Sequence, residues 1–169
     1  MEELFRNRTS AVLMEWLCAF SVRRDGTDRT GIRTAVNRLK EGRIVGVFPE
    51  GGIRAGKGSV LEGAQMWPGA SALCVLSGKP IVPCVIIGTD RLYDKRNWFR
   101  FRRVAVWIGV GKEIIPPCDL PKPDAREAVQ KALSKAFVTL KERLVRECRL
   151  TEADLPTTPQ ARKREDYLP

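Results

Sequence analysis

Histidine is missing altogether from this 169-residue chain. Imidazole titrates near neutrality and serves as the base in much acyl and phosphoryl chemistry. Ser–His and Cys–His nucleophilic catalysis therefore cannot be assembled from these residues. Cysteine is present five times, at Cys18, Cys74, Cys84, Cys118 and Cys148. No two of these form a CxxC pair, the number is odd, and three lie in apolar stretches. This is the usage of buried small hydrophobes in a reducing compartment, not of a disulfide frame. With no histidine to complete a ligand set, it also argues against a metal site. Long hydrophobic runs are lacking too. The longest, near Ala70–Ser77 and Pro80–Gly88, fall far short of the ~20 residues of a spanning helix. The first twenty residues open on Glu2 and Glu3 and are broken by Arg6, Arg8 and Glu15, unlike a signal peptide. The polypeptide is expected to lie against a membrane at most, not to cross one. No internal repeat is visible.

What is there suits one domain with a core of its own: 43% hydrophobic and 30% charged residues. Lysine and arginine number 30 against 20 acidic residues, a formal charge of +10. Anionic lipid headgroups, phosphorylated substrates and nucleic acid would all be attracted, and charge alone selects none of them.

Along the chain, Leu13, Met14, Trp16, Leu17 and Phe20 give residues 4–20 a helical face. A short charged segment, Ser21–Arg29, follows. A second helix is capped by Thr30, buries Ile32, Ala35, Val36 and Leu39, and stops at Gly42. Ile44–Phe48 is short, apolar and β-branched, which predicts a fully buried strand. It runs into the turn Pro49-Glu50-Gly51-Gly52 and then a glycine-rich loop reaching Gly63. Pro68 opens another helix that Gly78 closes. Pro80–Ile87 and Val104–Val110 read as further strands, with the basic, aromatic segment Arg91–Arg103 between them. A long helix follows, with a capping-box variant at Asp124 and Glu127 and an apolar face running from Ala128 and Val129 through Ala132, Leu133, Ala136, Phe137, Leu140 and Leu144 to Cys148. Residues 1–150 form the domain, and residues 151–169 read as a disordered tail. Helices alternating with buried strands predict an α/β fold with a mixed, largely parallel sheet flanked by helices on both faces. Ligands of such sheets sit at the carboxyl ends of the strands, where Pro49–Gly52 falls.

That turn has the parts of a binding site. Pro49 pins the backbone at the strand exit, and Glu50 is delivered on a stiffened turn. Gly51 and Gly52 permit close main-chain approach and present N–H groups to an anion. A carboxylate there can accept a substrate hydroxyl while the amides, Arg54 and Lys57 face a phosphate. In isolation, the same residues also describe an ordinary glycine turn with a solvated glutamate.

The wider context resembles the lysophosphatidic acid and glycerol-3-phosphate acyltransferase family. Its FPEGTR block is similar to Phe48-Pro49-Glu50-Gly51-Gly52-Ile53-Arg54, with Gly52 in place of threonine and the arginine displaced by one. The family's Val-Asp-Arg block is similar to Val22-Arg23-Arg24, with Arg24 at the phosphate-contacting position. Its Gly-Ala helix and Val-Val-Pro-Val strand are similar to Pro68-Gly69-Ala70 and Ile81-Val82-Pro83-Cys84-Val85. The resemblance spans roughly Met1 to Val110. It implies an acyl transfer from acyl-CoA or acyl-carrier protein to the hydroxyl of a glycerol phosphate or lysophospholipid, with no further cofactor. Arg24, Glu50, Gly51, Gly52 and Arg54 would bind substrate, and Pro83 would shape the acyl-donor side.

The family's catalytic His-x4-Asp block has no counterpart in a chain without histidine. Because Met1–Phe5 resembles sequence that follows that block, the chain reads as beginning within the domain. Uncovered apolar surface and a free sheet edge are then expected. The alternative is an inactive remnant that binds lipid without turnover. Its segment Lys95–Arg103 would put cations on phosphates and rings at the interface of an anionic membrane. On either reading the protein is expected in the cytoplasm, peripheral to the membrane's inner face. Nucleic-acid binding has no recognisable motif behind it.

Overall fold

A computed structural model describes residues 16, 18–20, 29–52, 54–93 and 103–158. Most of the first expected helix, Arg23 and Arg24, most of the basic aromatic segment and residues 159–169 lie outside that set.

Helix α1, Arg29–Lys40, begins one residue before the expected cap Thr30. Its end follows from Gly42, whose φ of +79° turns the chain left-handed. The Gly42 N–H then donates to Leu39 O and the Arg43 N–H to Arg38 O, closing two carbonyls that the helix leaves open. Two single 3-10 turns, Gly56–Gly58 and Val60–Glu62, follow the glycine loop. Helix α2, Gly69–Ser77, starts behind Pro68 and ends at Gly78, both as the sequence predicts. Strand β1, Cys84–Ile87, pairs antiparallel with β2, Trp107–Val110, placing Val85 opposite Gly109 and Ile87 opposite Trp107. An isolated bridge between Ile81 and Ile114 prolongs the same pairing.

Helix α3, Lys122–Cys148, is the longest element. Its start departs from the expected capping box. Pro121 occupies the cap with no side-chain bond, and Pro123 sits in the first turn, where a fixed φ and a missing N–H cost nothing. The two prolines set the start upstream of Asp124. Glu127 instead pairs one turn along with Lys131 at 2.6 Å, and this hydrogen bond holds its carboxyl below the ordinary value. The buried stripe is Ala125, Val129, Leu133, Phe137, Leu140 and Leu144. It is narrower than predicted, since Ala128, Ala132 and Cys148 face solvent.

This stripe lies on one face of the sheet. Val85 and Ile87 join Leu133, Phe137, Leu140 and Leu144 in the core, together with Val60, Met66, Ala70 and Leu150. Each fully buried leucine of this group contributes about 1.5–3 kcal/mol. The helix can come this close because Gly109 has no side chain: a Cβ there would stand 3.1 Å from the Leu144 side chain. The opposite sheet face carries Cys84, Ile86, Ile108 and Val110, all exposed. Among the described residues, helices cover one face of the sheet, and the strand pairing is antiparallel.

The expected strand over Ile44–Phe48 does not form. The segment is irregular, with Ile44 97% and Phe48 81% exposed. A strand needs a neighbour's N–H and C=O groups. β1 and β2 pair with each other, and no strand among the described residues pairs with this segment. Mixed helix and small sheet place the chain among α/β architectures. No helix among the described residues is long and apolar enough to cross a membrane.

The C-terminal part of the described chain returns to the sheet. Thr151 and Asp154 form a capping box on the 3-10 turn Glu152–Asp154. Asp154 also accepts from Arg91 at 2.7 Å, and Asp90 accepts from the Thr157 N–H at 3.2 Å. The Arg91 guanidinium lies over the Trp107 ring, 5.7 Å from its centre.

Candidate functional site

The site expected from the sequence begins where Ile44–Phe48 meets Pro49. The turn closes through a hydrogen bond from the Gly51 N–H to Phe48 O at 3.2 Å. Gly51 adopts φ +67°, a left-handed conformation. A Cβ there would come within 2.8 Å of the Trp67 indole. Two separate constraints, backbone hand and ring contact, thus require glycine. The Trp67 N–H donates to Pro49 O at 3.0 Å, so the segment entering α2 is stitched to the turn. Trp67 remains 59% exposed, its ring forming an aromatic wall beside the loop.

Glu50 is half-buried and its carboxylate is engaged on one side. Oε1 accepts from the Ser59 hydroxyl at 2.6 Å and from the Val60 N–H at 2.8 Å. Ser59 is itself 5% exposed, and its Oγ accepts from the Leu61 N–H at 3.2 Å. The Ser59 carbonyl receives the Glu62 and Ala64 N–H groups. The glycine-rich loop is therefore a wound structure around the Glu50 carboxylate. It is anchored to α3 by the ion pair of Glu62 with Lys141 at 2.7 Å.

Arg54 stays on this loop and donates to Gln65 O at 3.3 Å. Gly52 is exposed at the loop surface. The structure thus brings Glu50, Gly51, Gly52 and Arg54 together on one loop. Pro83 is elsewhere. It is fully buried ahead of β1, its carbonyl accepts from the Gly111 N–H at 2.9 Å, and its ring packs where a Gly111 side chain would stand. Arg24 lies outside the described residues. No group of three or more Asp, Glu or Cys residues suited to a metal occurs among the described residues.

Sequence reading passed over Ser59 and Trp67. For Ser59 a signal existed: Ser59-Val60-Leu61-Glu62 has the S-x-x-E spacing of a helix start, which marks a serine whose hydroxyl serves backbone N–H groups. For Trp67 no local pattern announces the contact, since it depends on the chain returning to the turn.

The chemistry of this loop is that of an anion-tolerant polar cradle. A fixed carboxylate can take a hydroxyl hydrogen bond, the N–H of the exposed Gly52 lies beside it, and a guanidinium stands on the same loop. Comparison with known proteins agrees on one family. A 1-acyl-sn-glycerol-3-phosphate acyltransferase of Bacillus subtilis (strain 168) is 26% identical over 143 residues, covering 85% of this chain and 67% of that protein. No solved structure matches the chain. The Acyltransferase family profile matches residues 2–87, which contain the whole Glu50 loop, helix α2 and strand β1. The chain accordingly belongs to the Acyltransferase family of transferase enzymes.

Proposed function

We propose that the chain acts in phospholipid biosynthesis and holds the polar head of a glycerol phosphate or lysophospholipid for acylation by acyl-CoA or acyl-carrier protein. The observation that carries this reading is the Glu50 carboxylate, fixed from one side by Ser59 and Val60 at the turn of the glycine loop. Among the described residues no hydrogen bond reaches its second oxygen, Oε2. A substrate hydroxyl bonded there is aligned for attack on a thioester carbonyl. In that step a C–O bond forms, the C–S bond breaks, and the thiol departs with the hydroxyl's proton. Arg24, Arg54 and the amide of Gly52 face the phosphate, while Gly51 shapes the turn that presents them, its own N–H closing on Phe48 O. The Trp67 ring borders the same loop, and Pro83 supports the acyl-donor side from just ahead of β1. The base for the hydroxyl is not an imidazole of these 169 residues. Membership in the family and the named relative support acylation of a glycerolipid in general.

The finer fold belongs to the same proposal. Ile44–Phe48 is apolar and exposed, and the outward face of β1 and β2 is apolar and bare. In the assembled enzyme this segment joins a largely parallel sheet, and helices cover its second face. The net charge of +10 supports peripheral contact with an anionic membrane surface. Flotation with anionic vesicles, and its loss with neutral ones, tests that part.

Absence of histidine favours a second reading, in which the same loop binds the lipid head without turnover. One experiment separates the two. Thiol release from acyl-CoA in the presence of glycerol 3-phosphate or 1-acylglycerol 3-phosphate reports transfer, and calorimetry with the same acceptors reports binding. Transfer that Glu50→Ala removes supports the enzyme. Binding that Glu50→Ala removes, with no thiol released, supports the second reading. Acceptor binding and turnover that ignore the substitution contradict both.

A further inference from the structure

Ser59 stands apart from the motif that first marks the site, nine residues beyond Glu50, yet it makes the shorter of the two contacts to that carboxylate. A serine hydroxyl has one proton to give and two lone pairs to receive. Here the Leu61 N–H occupies the receiving side, which leaves the proton directed at Glu50 Oε1. The backbone of Ser59 is equally committed: its N–H donates to Gly56 O at 2.9 Å and its carbonyl takes the N–H groups of Glu62 and Ala64. A buried hydroxyl on so constrained a backbone is a fixed donor. Through Glu62 and Lys141 the same turn is tied to α3, the helix whose stripe packs on the sheet.

A carboxylate offers about four lone-pair sites over its two oxygens. Two donors, one a hydroxyl and one an N–H, converge on Oε1. They fix both the position of that oxygen and the plane of the group, and so aim Oε2 in one direction. We infer that Ser59 is a positioning residue for substrate recognition: it orients Glu50 so that Oε2 receives a hydroxyl of the polyol phosphate. This rests on the reading of Glu50 given under Proposed function. Ser59 does not touch the ligand, and it acts on the hydroxyl end alone. The phosphate end is held by cations and the Gly52 amide, which Ser59 does not contact.

That division gives the test, made on the full chain by calorimetry with two probes, glycerol 3-phosphate and inorganic phosphate. Ser59→Ala is expected to weaken glycerol 3-phosphate about tenfold, the scale of one charge-assisted hydrogen bond, while inorganic phosphate binds as before. In a chain already carrying Glu50→Gln, the same change is expected to have no further effect. Should Ser59→Ala fail to fold, Ser59→Cys, of similar size and with a weaker donor, takes its place with the same expected pattern. Equal weakening of both probes, full additivity with Glu50→Gln, or no weakening at all overturns the positioning role. If Glu50→Gln itself leaves glycerol 3-phosphate binding intact, the reading of Glu50 fails first, and the role of Ser59 falls with it.

Discussion

At the scale of single residues, burial and backbone hand decide what can be changed. Cys74 is a buried residue of α2, and burial pushes its thiol above the ordinary value, while Cys18, Cys84, Cys118 and Cys148 are exposed. A thiol reagent at neutral pH should therefore label four cysteines rapidly and reach Cys74 only on unfolding. Mass spectrometry of labelled peptides reads this directly, and fast labelling of Cys74 would contradict the packing described. Gly51 is the least replaceable residue of the loop. Gly51→Ala meets the Trp67 ring and a left-handed φ together, so it should lower stability by about 1–2 kcal/mol and shift Trp67 fluorescence. Arg149 presents the converse. It ends α3 at φ +53° without being glycine, so Arg149→Gly should raise the thermal midpoint, by up to about 1 kcal/mol of stability.

At the scale of elements, the return of residues 151–158 to the sheet is held by charge. The Asp154 carboxyl is drawn down to about 2 by the Thr151 N–H first, then by the Arg91 side chain and the Thr151 hydroxyl. The folded state thus binds this proton less readily than the unfolded chain does. Its stabilising effect is complete above the ordinary value of 3.8 and fades as pH falls toward 2. Hydrogen-exchange protection factors over residues 151–157, taken relative to the intrinsic rate at each pH, should fall on acidification through that window, and Asp154→Asn should remove the dependence. An unchanged acid profile in the variant would show that other contacts hold the segment. Elements whose signals are local were legible in the sequence: Gly42 and Gly78 as helix ends, Pro68 as a helix start, and the apolar period of α3. Ile44–Phe48 has the composition of a strand and forms none, because composition reports the wish to be buried, not the presence of a neighbour to pair with. The start of α3 departs from the capping pattern because Pro123 outweighs the carboxylates. Of the site, the Pro-Glu-Gly-Gly turn could be read from residue types, while the partners of Glu50 come from a fold-back that no local pattern contains.

At the scale of the whole molecule, apolar surface is divided unevenly. One sheet face is sealed by Leu133, Leu140 and Leu144, and the other presents Ile86, Ile108 and Val110 to solvent, with Ile44 and Phe48 exposed as well. Leu140→Ala should cost about 2–5 kcal/mol, as for other buried leucines, whereas Ile108→Lys should cost little and reduce concentration-dependent association seen by light scattering. Equal destabilisation by the two changes would mean that both faces are sealed. The Glu50 loop hangs from the sealed side through Lys141, which ties the geometry of the loop to the integrity of the core. What most directly decides whether this loop recognises a polyol phosphate is a calorimetric titration of glycerol 3-phosphate into the parent chain and into Glu50→Gln. The parent should bind at least about tenfold more tightly than the variant, and indistinguishable isotherms would contradict the assignment of the site.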